Sequence, residues 1–265
     1  MPELPELDVL AENLAARLAG ARVAAVRVVS VAALKTFDPP IDSLAGLAVT
    51  GAGRRAKYVW LELGELRLVM HLSLGGRLVL GPKPASRKVA VLTVELDDGR
   101  VLSMTEGGTQ RRAAVWLVDD VEKVPPLAGL GQDGGHTLKG MLTDQRAMSG
   151  VGNAWSDDVL HRARMSPFAR PERLDPDEVG RLHAALVGVL TEARATLAQQ
   201  VGDEVAIPKA SERLFAVHGR AGAACYVCGD TIRSVWMGER ETSYCPTCQT
   251  GGRILADRRR SRFLR

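Results

Sequence analysis

The spacing of apolar positions changes character twice along the chain. Leu4, Leu7, Leu10, Leu14 and Leu18 recur at helical intervals with charges between them, which predicts an amphipathic helix over residues 3–19 closed by Gly20. From Arg22 to about Val118 the pattern shortens to runs rich in Val and Leu: 22–30, 47–53, 57–63, 66–72, 77–80, 89–96 and 113–118. Gly64, Gly75-Gly76, Asp97-Asp98-Gly99 and Gly107-Gly108 punctuate them as turns. Some seven short strands at this spacing argue for a β-sandwich or barrel. Helical spacing returns over 138–142, breaks at Ser149-Gly150-Val151-Gly152-Asn153, and resumes through Asp157-Asp158-Val159-Leu160. Asp175-Pro176-Asp177-Glu178 then opens a further helix with a cap, a first-turn Pro and an acid three residues on. Leu182, Leu186, Val189 and Leu190 continue its apolar face.

These elements define an α+β chain: a β-sandwich with an N-terminal helix, then a helical domain carrying a hairpin. The expected division is 1–120 for the sandwich, 121–136 for a Pro/Gly-rich linker, 137–222 for the helical domain, 223–252 for a four-Cys module and 253–265 for a basic tail. No apolar run approaches the roughly 18 residues of a membrane span, and no charged-then-apolar leader precedes a cleavage site. The expectation is a cytoplasmic protein.

Charge sharpens this picture through its distribution. The total is only +4, but from Val205 to Arg265 there are eleven Lys/Arg against five Asp/Glu, a net +6, so the first 204 residues carry −2. Basic character concentrated at one end suits a grip on nucleic acid. The Arg258-Arg259-Arg260 run also suits a solvated tail.

Four motifs carry candidate chemistry. Met1-Pro2-Glu3 becomes, once Met1 is removed, a secondary amine beside a carboxylate. An α-amine titrates near pKa 8 and is partly an unprotonated nucleophile at neutral pH. A proline nitrogen attacking a sugar aldehyde gives a charged iminium, an electron sink, and Glu3 stands ready to shuttle protons. The same residues also suit a plain helix start. In Gly53-Arg54-Arg55-Ala56-Lys57-Tyr58, Lys57 stands where an apolar strand begins, a place where a solvated charge is also common; His71 follows in the next strand. Gly150-Val151-Gly152-Asn153 between two helices aims backbone N–H groups at one point, a phosphate site, or serves as an ordinary helix-hairpin turn.

The fourth motif is the most specific. Cys225-x2-Cys228 and Cys245-x2-Cys248, separated by 16 residues, use every cysteine of the chain and match a tetrahedral structural zinc site, with two disulfides as the alternative. Thr231 to Tyr244 reads as a hairpin turning near Gly238, with Arg240 close to its tip, a suitable probe for phosphate or a DNA groove.

In this order, from Met1-Pro2-Glu3-Leu4-Pro5-Glu6 to Cys245-Pro246-Thr247-Cys248, the motifs resemble the formamidopyrimidine-DNA glycosylase and endonuclease VIII family of base-excision repair enzymes. The resemblance implies a helix-two-turns-helix domain, a zinc finger with one structural Zn2+, and a monomer, nucleoid-associated, acting on damaged DNA. It implies that Pro2 attacks C1′ of a damaged nucleotide with Glu3 as acid/base, and that Lys57 assists. Asn153, in the turn with Gly150 and Gly152, would bind phosphates, as would Arg240, and His71 would contact DNA. The activity expected is that of a bifunctional DNA glycosylase and abasic-site lyase for oxidised bases.

Three departures bear on the lesion. Leu74 stands near the position where the family has a void-filling Met, and Gln110 and Arg111 lie in a segment, 105–112, that replaces the usual Arg and Phe wedge. The linker passes quickly from Gly135 to Leu138, where the family usually has a further helix of about twenty residues, and the stretch 199–213 is short for a lesion-capping loop. Processing of abasic, single-stranded, bulky or cross-linked lesions by the same chemistry is therefore an alternative. A non-catalytic damaged-DNA binder is another.

Overall fold

The computed structural model describes residues 1–109, 111–128, 137–209, 212–237 and 239–256. Gln110, the Gly131–Gly135 part of the linker, the hairpin tip at Gly238 and the Arg258–Arg260 run lie outside the described residues. The described residues fall into two compact units. One is drawn from Met1–Leu130 and Arg194–Lys209, the other from Gly131–Ala193 and Ala210–Arg265.

In the first unit, helix α1 (Leu4–Leu18) buries Leu7, Leu10, Leu14 and Leu18, the stripe its spacing predicts. Ala19 and Gly20 end it, Gly20 taking the left-handed φ of +79° that a side chain would strain. Strands follow as β1 (Val23–Val28), β2 (Val49–Arg55), β3 (Tyr58–Leu63), β4 (Leu66–His71), β5 (Gly76–Gly81), β6 (Ala90–Leu96), β7 (Val101–Glu106) and β8 (Ala114–Val118). Among the described residues they form two antiparallel four-stranded sheets, ordered β1-β6-β7-β5 and β2-β3-β4-β8. Together with α1 they make a sandwich-like fold around one apolar core.

The strand β3 shows how the alternation works. Val59, Leu61 and Leu63 point into that core, while Tyr58 and Trp60 pack on the opposite face with Val69, Trp116, Val124 and Leu127. With both faces covered, β8 is buried throughout its length.

Two expectations are corrected here. Residues 101–106, absent from the runs read as strands, form a further strand, β7. Gly76 opens β5 instead of lying in a turn, and only a glycine fits there, since a Cβ would fall 2.0 Å from the Leu72 carbonyl oxygen.

The first unit is completed by residues far along the chain. Val205 and Ile207 are buried in its core. Asn13 Nδ2 donates to the carbonyls of Gly202 and Glu204 at 2.9 and 2.7 Å, and Arg17 pairs with Asp203 at 2.6 Å. The stretch after Gly202 is therefore pinned along the polar face of α1.

In the second unit, α2 (Pro125–Ala128) having closed the first segment, α3 (Leu138–Thr143) and α4 (Asn153–Ala163) flank the glycine turn. The long α5 (Pro176–Val201), whose residues from Arg194 on belong to the first unit, starts with a reciprocal cap: Glu178 N–H donates to Asp175 Oδ1 at 2.7 Å, and Asp175 N–H to Glu178 Oε2 at 3.2 Å. Strands β9 (Arg233–Met237) and β10 (Arg240–Tyr244) form the hairpin, and α6 (Pro246–Thr250) follows it.

Candidate active site, phosphate clamp and metal centre

At the head of α1, Pro2 is buried and Glu3 is only 4% exposed. Glu6 reaches back to accept the Glu3 N–H at 3.0 Å, fixing the first residues to the helix instead of leaving them as a frayed end. Asp8, one turn further, pairs with Arg54 of β2 and ties the helix to the sheet.

Lys57 occupies the two-residue turn between β2 and β3, where Arg55 pairs with Tyr58 and Ala56 takes a left-handed φ of +53°. The turn is buried, Lys57 included. Tyr58 pairs with His71 across β3 and β4, and their rings lie 4.8 Å apart. Burial first, and the Lys57 charge second, hold the His71 imidazole below its ordinary 6.5, while Glu106 opposes them. His71 is thus a neutral donor or acceptor at neutral pH, beside a lysine. Sequence reasoning missed Glu106. Its buried carboxylate accepts the backbone N–H groups of Arg112 and Ala113 at 2.9 Å and closes the short loop between β7 and β8.

Leu74 is 63% exposed in the turn after β4. The Arg111 guanidinium donates to the Lys88 carbonyl, so this side chain lies along its own sheet. Gln110, the remaining void-filling candidate, lies outside the described residues.

In the second unit the glycine turn is more committed than its sequence indicates. The Gly150 N–H already donates to Gln145 Oε1 at 3.0 Å, and Gln145 Nε2 donates to the Val151 carbonyl at 2.6 Å. Gly152 is the N-cap of α4, and Asn153 is its first helical residue, with no capping role. The Asn153 side-chain amide instead donates to the Glu241 carbonyl of β10 at 2.8 Å, next to the exposed Arg240. An amide nitrogen carries two hydrogens. Its Oδ1 is buried with no hydrogen-bond partner among the described residues.

Three charged residues of this unit, invisible to motif reading, hold turn and hairpin together. Lys139 Nζ donates to the Asn153 carbonyl at 2.6 Å, to Ser156 Oγ at 2.8 Å and to Asp157 Oδ1 at 2.5 Å, with side chains 3% and 0% exposed for Lys139 and Asp157. The other Asp157 oxygen accepts the Ser243 N–H at 3.1 Å and lies 2.7 Å from His218 Nδ1. Asp158 accepts three backbone N–H groups, from Ala216, Val217 and His218, at 2.6 to 3.2 Å. Burial pushes its carboxyl above the ordinary range, and those donors pull the other way. Arg240 is thereby presented on a braced hairpin.

The four cysteines are free thiols gathered at the base of that hairpin. Sγ of Cys228 lies 3.3 Å from Cys245 Sγ, and Sγ of Cys225 lies 3.9 Å from Cys248 Sγ. Soft sulfur donors at such separations fit tetrahedral zinc, whose S···S edge is about 3.8 Å for Zn–S bonds of about 2.3 Å. They do not match disulfides, whose S–S bond is about 2.0 Å. His161 of α4 joins them, its Nε2 3.3 Å from Cys225 Sγ. Nothing in the Cys-x2-Cys pattern announces a histidine 64 residues earlier. No helix among the described residues is long and apolar enough to cross a membrane.

A helix-headed sandwich, a helix-two-turns-helix unit and a zinc hairpin define a DNA-repair glycosylase with a zinc finger. Family comparison agrees segment by segment. Residues 1–114 match the formamidopyrimidine-DNA glycosylase N-terminal domain, 127–203 its H2TH domain, and 222–251 the zinc finger found in FPG and IleRS. The chain is 31% identical to the formamidopyrimidine-DNA glycosylase of Mycolicibacterium gilvum, covering 96% of this chain and all of that one. It is 33% identical to that of Roseiflexus sp., over 94% of this chain and all of that one. A 44% match to an uncharacterized formamidopyrimidine-DNA glycosylase-like protein of Mycobacterium tuberculosis covers 52% of this chain and 87% of the other. The chain therefore belongs to the formamidopyrimidine-DNA glycosylase family. Its fold is also that of the Lactococcus lactis Fpg in complex with abasic-site DNA, with a TM-score of 0.81, 23% identity and coverage of 94% and 99%.

Proposed function

We propose that this DNA glycosylase is bifunctional, excising damaged bases and then cleaving the strand through a Schiff base on Pro2. The observation that carries the reading is the buried Pro2-Glu3 pair fixed at the head of α1 by Glu6. Removal of Met1 converts the Pro2 amide nitrogen into a secondary amine. That amine attacks C1′, the damaged base departs with a proton, and the resulting iminium carries a positive charge on nitrogen. Loss of a C2′ proton then expels the 3′ phosphate, and water releases the enzyme. Glu3 relays protons to the departing base and opened sugar. Lys57, buried beside His71, supplies an amine placed to assist the leaving group or to contact a phosphate.

Such chemistry requires the nucleotide to leave the stack at a cost of a few kcal/mol. Contacts of Asn153, Arg240 and His71 with phosphates offset it, which gives the glycine turn and hairpin their purpose. On this reading the partner of the chain is damaged DNA, as in the Fpg–DNA complexes that share its fold. The protein works as a monomer at the nucleoid, with one zinc ion held by Cys225, Cys228, Cys245 and Cys248. Zinc supplies a structural cross-link to the hairpin and no chemistry, since four thiolates leave no open position.

The deciding experiment is borohydride trapping on an oligonucleotide with one abasic site. Zinc-loaded protein lacking Met1 should give a covalent band that Pro2→Gly loses. Tight binding without a band would leave a damage-binding protein on this scaffold.

A second reading is favoured by Leu74 and Arg111. A Leu in the exposed turn and an Arg held by the Lys88 carbonyl offer little to fill a duplex void. The same chemistry would then act on single-stranded, abasic or bulky lesions. Comparable or faster excision from single strands than from duplexes supports it, and strict duplex dependence removes it.

A further inference from the structure

The zinc hairpin gathers more donors than tetrahedral zinc can use. Cys225 and Cys245 are buried and Cys248 half-buried, but Cys228 is exposed. On the buried side, His161 Nε2 stands 3.3 Å from Cys225 Sγ, close to the roughly 3.5 Å edge expected between nitrogen and sulfur ligands of one zinc. The ligand atoms of His161, Cys225, Cys245 and Cys248 all lie within 4.8 Å of one another. His161 is not brought there by a flexible loop. It lies near the C-terminal end of α4, whose N-terminal half is held by Lys139–Asp157 and by the Asp158 bonds to 216–218.

We propose that the centre has five donors, and that His161 is a reserve ligand able to replace Cys228 and complete a Cys3His site. While all four thiolates are engaged, the His161 N–H donates to the Cys225 thiolate and keeps the imidazole in place. This is the supporting role that outer groups play at metal sites. When Cys228 leaves, its sulfur takes a proton from solvent. The imidazole proton moves from Nε2 to Nδ1, and the Nε2 lone pair takes the vacant position. The set that remains is a familiar structural zinc set. The advantage is specific to this hairpin: loss of the most exposed thiolate leaves the brace on Arg240 intact.

The test uses the full chain reconstituted with Zn2+ or Co2+. Cys228→Ser should still bind about one equivalent of metal, with the cobalt thiolate charge-transfer intensity lowered by about a quarter. Cys228→Ser combined with His161→Phe should bind at least 100-fold more weakly in chelator competition. His161→Phe alone should keep the full four-thiolate spectrum, which shows that the substitution does not unfold the module. The proposal is overturned if Cys228→Ser loses metal as completely as the double variant. It is equally overturned if the double variant holds metal as tightly as Cys228→Ser. Neither readout depends on excision or lyase activity.

Discussion

The side-chain amide of Asn153 donates a 2.8 Å hydrogen bond to the backbone carbonyl of Glu241, 88 residues further along the chain. A residue that motif reading reserves for phosphate is also a strut between α4 and the hairpin that carries Arg240. Asn153→Ala should therefore loosen the hairpin as well as remove the phosphate donor proposed above. Hydrogen exchange in 233–244 should rise, and affinity for lesion-analogue DNA should fall about five-fold from the strut alone, taking about 1 kcal/mol per hydrogen bond. Unchanged exchange in 233–244 would confine Asn153 to the phosphate role.

The Lys139–Asp157 pair is a buried ion pair in which each charge has further polar partners. Lys139→Met keeps the aliphatic length but leaves the Asp157 carboxylate without its cation. The expected cost is about 3–5 kcal/mol, because an uncompensated buried charge is left behind. Urea denaturation of the zinc-loaded chain checks it, and a loss under about 1 kcal/mol would show that water reaches the pair.

His71 predicts a pH dependence with a definite sign. Its folded value lies below 6.5, chiefly through burial and then through Lys57, with Glu106 acting against them; the Tyr58 ring packs beside it. Between the two values the unfolded chain binds more protons, so stability is full above pH 6.5 and is lost as pH falls through the folded value. Thermal melts of His71→Gln should lack this component. A wild-type minus variant difference that is flat below pH 6.5 would contradict it.

Gly76→Ala should be among the most damaging small changes in the sandwich, because a Cβ would sit 2.0 Å from the backbone oxygen of Leu72, which cannot step aside. About 3 kcal/mol is expected. Gly81→Ala, at the other end of β5 with nothing within 4 Å, should change stability by less than about 1 kcal/mol. Equal melting temperatures for the two variants would refute the distinction.

Much of the scaffold was legible because it follows from periodicity. Five leucines outlined α1, β-rich runs outlined most strands, and the cysteine spacing marked the hairpin. What escaped was structure made by buried polar groups. β7, absent from the runs read as strands, carries Ser103 and Glu106: Ser103 Oγ accepts the Ala85 N–H at 3.0 Å and Glu106 binds the 112–113 backbone. Lys139, Asp157 and Gln145 were missed likewise, since each is satisfied by partners distant in sequence or hidden in a turn. A free Gly150 N–H was expected because a glycine turn advertises its backbone donors but not the side chain that already takes one.

The polar face of α1 carries the stretch after Gly202, and Val205 and Ile207 fill the sandwich core from there. The N-terminal unit is thus a discontinuous one, begun before residues 131–193 are synthesised and finished by residues that emerge only after them. Until then its core lacks two side chains and its first helix lacks a neighbour. The order of synthesis therefore obliges the helices of the intervening segment to emerge before the N-terminal unit can close.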